Sequence, residues 1–221
     1  MSECQHSDML QPAQRRGLAG EAADRVREAI FAGVFPPGAA LKEVELAQNL
    51  QVSRGSVREG LGILEREGLV VSEWHKGTWV RSLSPQDVDE LYTLRNALDN
   101  LAMRTAAAKN DARQFDALDK IVDEMRTARR EELVALDMRF HDAVYAATGH
   151  ARLTEAWRAI RNQIHLFLLT RIQGDDDYGT IIAPEHAALV AALRSGDGER
   201  AVALAEEHLR GSYDKLHQLR R

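Results

Sequence analysis

The sequence predicts an all-α protein with one small β element: short helices and a hairpin first, then an antiparallel bundle of six to seven helices. Three observations point there. Ala, Leu, Glu and Arg are abundant while aromatic residues make up 5% of the chain, a composition that favours helix over sheet. Apolar residues recur at intervals of three and four almost throughout, the spacing of a helix face. One stretch, "LVVSEWHKGTWVRSL", reads instead as two short β segments around a turn at His75–Gly77.

Residues 1–15 are polar and aperiodic, as in a disordered tail. From Leu18 to Phe31, the residues Ala22, Val26, Ala29 and Ile30 recur at helical spacing, and "AGVFPPGAAL" then breaks the helix with Gly33, Pro36, Pro37 and Gly38. "EVELAQNL" makes a short helix with Leu46, Ala47 and Leu50 on one side. "QVS" is a turn, and "RGSVREGLGILEREG" a second helix with Val57, Leu61 and Leu64 on its apolar face. After the hairpin the texture changes. Ser84 as N-cap and Pro85 at the first helical position open a new helix. Six helices are expected from there, over 85–108, 111–128, 130–147, 151–172, 181–194 and 198–219. The breaks fall at "KND", "TARRE", "TGH", "QGDDDYG" and "SGDG". Two domains result, 16–82 and 83–221.

Composition bounds the function. With 221 residues the chain can bury a proper core. Cys4 is the single cysteine, which excludes a disulfide scaffold or a Cys-rich zinc module and fits a reducing cytoplasm. No apolar run is long enough to span a bilayer, and no basic-then-apolar leader opens the chain, so no membrane partner is expected. The net charge is −5, and residues 1–82 hold 10 Lys and Arg against 11 Asp and Glu. Any contact with DNA must therefore come from a local patch, with weak sequence-independent affinity.

Helix, turn, helix and hairpin is the order of a winged helix-turn-helix, whose second helix enters the major groove with its N-terminal residues at base edges. Here that helix opens "SRGSVRE" with Ser53 as N-cap. Arg54 and Arg58 are four apart, on the face opposite Val57, Leu61 and Leu64. Gly55 and Ser56 are small enough to let the backbone approach phosphates. Each arginine suits guanine or phosphate. The spacing equally allows two solvated arginines paired with Glu59 and Glu65. The frame "LKEVELAQNLQVSRGSVREGLGILEREGLV", followed by "HKGTWV", resembles the DNA-binding module of the GntR family of bacterial transcription regulators over about residues 18–82. The resemblance implies that Arg54 and Arg58 contact DNA, with Ser53 and Ser56 at the same helix start and Gly77 in the wing tip. Three departures stand out: Gly55–Ser56 for the usual Thr-Pro, Gly60 for the usual Ala, and Val44 where some members carry Arg. Gly60 and Gly62 are expected to loosen the recognition helix by about 1 kcal/mol each.

In the C-terminal half, "LDMRFHDAVY" places Asp137 and His141 four residues apart, on one face of a helix. Such a pair suits a helix hydrogen bond, half of a catalytic dyad or half of a metal site. His186 and His208 flank the break at Ser195–Gly198 at nearly equal chain distance, so in an antiparallel hairpin both stand about 15 Å from the turn. One carboxylate and three imidazoles would suit Zn²⁺, Ni²⁺ or another borderline divalent ion. His6, His75, His150, His165 and His217 have no such matching partner. The fragments "LR.ALD..A...AA" at 94–108, "LD..FH.AVY.ATGH..L" at 136–153, "EH..LV.AL..GD...A" at 185–201 and "EEHL" at 206–209 resemble the FCD effector domain of the FadR branch of the GntR family. That resemblance implies a metal held by Asp137, His141, His186 and His208, with mild departures at Asp99 and His150.

Around a divalent ion, one carboxylate and three neutral imidazoles leave a net positive charge that favours an anion. The expected effector is a small carboxylate, with Arg95 as the leading second clamp and Arg161 and Asn162 as further candidates. An ion pair from Arg95 to Asp99 is the plain alternative for that arginine. The function implied is a transcription regulator rather than an enzyme, usually a repressor, acting as a homodimer on a pseudo-palindromic operator in double-stranded DNA. Two other functions remain open on sequence: a metal-dependent hydrolase using the same four residues, and a regulator whose metal is structural.

Overall fold

The computed structural model describes residues 17–172 and 177–219; the expected tail at 1–15 and most of the break at "QGDDDYG" lie outside them. The N-terminal unit consists of α1 (Leu18–Phe31), α2 (Glu43–Leu50), α3 (Arg54–Arg66), β1 (Val70–Glu73) and β2 (Gly77–Val80). Ser53 caps α3, its hydroxyl accepting the Ser56 N–H at 3.0 Å. Val57, Leu61 and Leu64 are buried beneath that helix. The strands pair antiparallel with Val70 opposite Val80, and an isolated bridge from Ala40 to Trp79 widens the hairpin.

Gly60 corrects the expectation of a merely loosened helix. A Cβ there would lie 2.8 Å from the Ala19 carbonyl oxygen and 3.1 Å from the Ala23 nitrogen. The backbone of α1 crosses α3 at this residue, so the glycine permits close helix packing, which offsets its cost in propensity.

The C-terminal unit contains α4 (Pro85–Lys109), α5 (Ala112–Thr127), α6 (Arg130–Thr148), α7 (Ala151–Ile172), α8 (Tyr178–Arg194) and α9 (Gly198–Leu219). The Ser84 start is a full capping box: its hydroxyl accepts the Asp87 N–H at 3.1 Å, and Asp87 accepts the Ser84 N–H at 2.8 Å. Gly149 ends α6 in the left-handed region at φ 62°, a conformation glycine adopts without penalty. Phe115, Phe140, Tyr145 and Trp157 fill the bundle core. Helix α8 begins three residues before the expected start and continues through Pro184. Tyr178, 1% exposed, lies under the Arg171 guanidinium at 4.8 Å, and that burial supports the additional turn.

The two units share a junction. Leu166 of α7 completes the apolar core of the N-terminal unit, and His165 stacks on Phe31 of α1 with ring centroids 3.7 Å apart. Asn162 donates to Glu67 at 3.1 Å, and Arg27 holds the same carboxylate at 2.8 and 2.7 Å. Helix α7 is thus part of both cores.

Candidate metal centre and nucleic-acid surface

Helix α6 carries Asp137 and His141 on one face, α8 carries His186, and α9 carries His208. One ligand atom from each lies within 4.8 Å of the others. All four side chains are buried, from 0% to 8% exposed. The equal heights expected for the hairpin histidines are realised, with the rings of His186 and His208 4.8 Å apart.

The rings are aimed by their other nitrogens. His186 donates from Nδ1 to the Ile182 carbonyl at 2.7 Å, and His208 donates from Nδ1 to Oε2 of Glu185 at 2.6 Å. A carbonyl cannot donate, so Nε2 of neutral His186 bears a lone pair. That nitrogen is 3.1 Å from Oδ1 of Asp137 and has no hydrogen-bond partner; Oδ2 of Asp137 and Nδ1 of His141 are orphaned as well. Lone pairs facing one another in a dry interior repel, and a shared cation removes the repulsion. Burial opposes ionisation of Asp137, but positive charge at the facing imidazoles, with a proton on His186, more than reverses it and holds the carboxyl far below the usual range; when the rings are neutral, a divalent ion among them would supply that charge. Burial, with Arg95 beside it, holds His141 well below its ordinary value. Burial lowers His208 despite Glu185. An ionised carboxylate beside deprotonated rings is the state in which such residues ligate a divalent ion, and the residues fit that role.

Arg95 reaches this cluster. It is 3% exposed, donates from Nη2 to Nε2 of His141 at 2.8 Å and from Nε to Asp99 at 3.3 Å, and stands 5.6 Å from the Trp157 ring centroid. Asp99 also accepts the Tyr145 hydroxyl at 2.5 Å. The ion pair with Asp99 and the contact with the cluster therefore coexist. Arg161 lies elsewhere, gripping Asp142 at 2.7 to 2.9 Å, and Asn162 sits in the junction with Glu67. Among the described residues no hydrogen bond joins either to the cluster.

Sequence reasoning missed Glu185 and the Ile182 carbonyl. The acid directly before His186 in "PEH" was an available signal, but nothing local shows that it serves the histidine of the next helix. Tyr145, one turn beyond His141 on α6, contributes its hydroxyl to Asp99.

On the other unit, Arg54 is exposed in the first turn of α3, and the hydroxyls of Ser53 and Ser56 are 2.9 Å apart. Arg58 pairs with Glu43 of α2, not with Glu59 or Glu65 as in the solvated alternative, through bonds of 2.9 and 2.8 Å. Gly77 opens β2 at φ 118°, and Trp74 beside the hairpin turn is 87% exposed. Among the described residues no helix is long and apolar enough to cross a membrane.

The sequence matches two family models: the bacterial regulatory proteins of the gntR family over residues 18–80, and the FCD domain over residues 90–211. It is 31% identical to the "Probable D-xylose utilization operon transcriptional repressor" of Paenarthrobacter nicotinovorans, across 88% of this chain and 87% of that protein. The crystal structure of a GntR transcriptional regulator from Rhodococcus sp. RHA1 superposes with a TM-score of 0.78 at 26% identity, covering 90% of this chain and 97% of the other. The Escherichia coli protein McbR/YncC shares the fold, with a TM-score of 0.80 at 19% identity over 93% of this chain and 99% of its own. Both units, in this order, place the chain in the GntR family as a DNA-binding transcriptional regulator with an FCD domain at its C-terminal side.

Proposed function

We propose that this regulator responds to a small carboxylate bound at a divalent ion, Zn²⁺ or Ni²⁺, held by Asp137, His141, His186 and His208. The observation that carries the reading is the unpartnered Nε2 of His186 facing the Asp137 carboxylate at 3.1 Å in a fully buried site. When bound, the ion supplies a positive centre that attracts an anionic oxygen. The chain's own residues do the rest. Glu185 and the Ile182 carbonyl hold two rings in the ligating orientation. Arg95 reaches the cluster with a buried guanidinium, and the N–H that it now gives to His141 suits a carboxylate oxygen equally well. Phe140 and Trp157 keep bulk water out.

In this reading the protein is a repressor, as its Paenarthrobacter relative is named, and acts as a homodimer on a pseudo-palindromic operator. Leu94 and Leu101, two turns apart on α4 and 47% and 46% exposed, supply an apolar strip suited to a second copy. Arg54, Arg58, Ser53 and Ser56 face the major groove, and Gly77 lets the wing backbone approach a phosphate. The carboxylate acts by favouring one placement of the N-terminal units over another.

A thermal-shift series of organic acids, run with metal-replete and chelator-treated protein, tests the proposal. Stabilisation by some acids in the metal-replete protein alone is expected. A complete set of acids without effect on metal-replete protein would sink the effector reading.

A further inference from the structure

Arg58 and Glu43 meet side-on across α3 and α2, Nε donating to Oε1 at 2.9 Å and Nη2 to Oε2 at 2.8 Å. The Glu43 side chain is 26% exposed and that of Arg58 67%, so the glutamate is the anchored partner and the arginine projects. Exposed ion pairs add little to stability, which leaves the geometry to be explained. A guanidinium has five N–H groups, and this pairing engages one on Nε and one on Nη2. The free groups are both N–H of Nη1 and the second of Nη2, the end-on edge that matches O6 and N7 of guanine. The groove between α3 and the wing is firm, because Glu65 accepts the Ser72 N–H of β1 at 3.0 Å. Val44, next to Glu43, adds no donor to this surface.

We propose that Glu43 is a specificity-determining residue: it fixes the Arg58 guanidinium so that its end-on edge reads one guanine in each operator half-site. This rests on the reading that α3 enters the major groove. The pair also explains how a module without excess positive charge selects a sequence. Its carboxylate cancels much of Arg58's attraction to phosphate, which lowers affinity for every duplex, while the fixed fork keeps the match to guanine.

The test uses the full-length protein and an operator selected by the wild type from a randomised duplex pool. Glu43→Gln and Arg58→Lys then go through the same selection and are titrated against the selected duplex, its single-guanine substitutions and an unrelated duplex. Both variants should lose preference at the same guanine by about 5- to 100-fold and keep it elsewhere. Glu43→Gln should bind the unrelated duplex as tightly as the wild type or more so, because it has lost a negative charge. The proposal is overturned if Glu43→Gln keeps that guanine, loses preference equally at all positions, or binds no duplex. It is overturned too if Arg58→Lys affects a different base. A wild-type pool without any consensus overturns the groove reading itself, and the Glu43 proposal with it.

Discussion

His208 donates from Nδ1 to the Glu185 carboxylate at 2.6 Å, joining α9 to α8 by a charge-assisted bond one residue away from His186. The bond fixes which nitrogen of His208 faces the cluster. Glu185→Gln keeps the shape and removes the charge. It is expected to lower divalent-ion affinity about 10- to 100-fold, measured by competition with a chromophoric chelator. Unchanged affinity would show that packing alone aims the ring.

Removal of the ion should cost stability by linkage. At a free ion concentration about 100 times the Kd, binding to the folded state contributes about 2.7 kcal/mol, and chelation should lower Tm accordingly. His186→Ala should bind far less metal in elemental analysis and show little further response to chelator. A full complement of ion in that variant would remove His186 from the ligand set.

Gly60→Ala has an unusual expected sign. At a solvated helix position the change would stabilise by about 1 kcal/mol. Here the added carbon meets the Ala19 carbonyl oxygen at 2.8 Å, so α1 must shift. A loss of about 1–3 kcal/mol in denaturant unfolding is expected, and a gain would contradict the packing.

Tyr145→Phe leaves Oδ1 of Asp99 buried without the hydroxyl it now accepts at 2.5 Å. The expected cost is about 1–3 kcal/mol in chemical unfolding. Metal content should stay unchanged, since Tyr145 touches none of the four clustered residues by hydrogen bond.

His165 makes the junction sensitive to acid. Burial, with Arg161 nearby, lowers its pKa to about 4 from the 6.5 of an ordinary imidazole. A ring that is neutral when folded favours the native state fully above pH 6.5. That contribution is lost as pH falls from 6.5 towards about 4, because the unfolded chain takes up the proton first. The slope of Tm against pH over this window should be shallower in His165→Phe. Equal slopes would remove His165 as the source.

Helix periodicity, the Ser53 and Ser84 caps and the Gly149 stop were legible in the sequence because each acts within one or two turns of chain. The expected start of α8 fell short because burial of Tyr178 over the helix's first turn is a tertiary effect. Asp137 and His141 were legible as one face, and His186 and His208 as one height, because a hairpin's symmetry follows from residue counts. Arg58's partner was not legible: spacing offers only Glu59 and Glu65, near in sequence, whereas Glu43 comes from the preceding helix.

The sequence by itself determined the order of helices, the hairpin, the caps and the residue types of the cluster, all properties of local spacing and of the side chains themselves. Only the tertiary structure decided that four ligand atoms converge within 4.8 Å, that Glu185 aims His208, and that Arg95 serves both Asp99 and His141. It also decided that α7 completes the N-terminal core and that α1 requires Gly60. These depend on distances between helices far apart in the chain, which packing sets and periodicity does not encode.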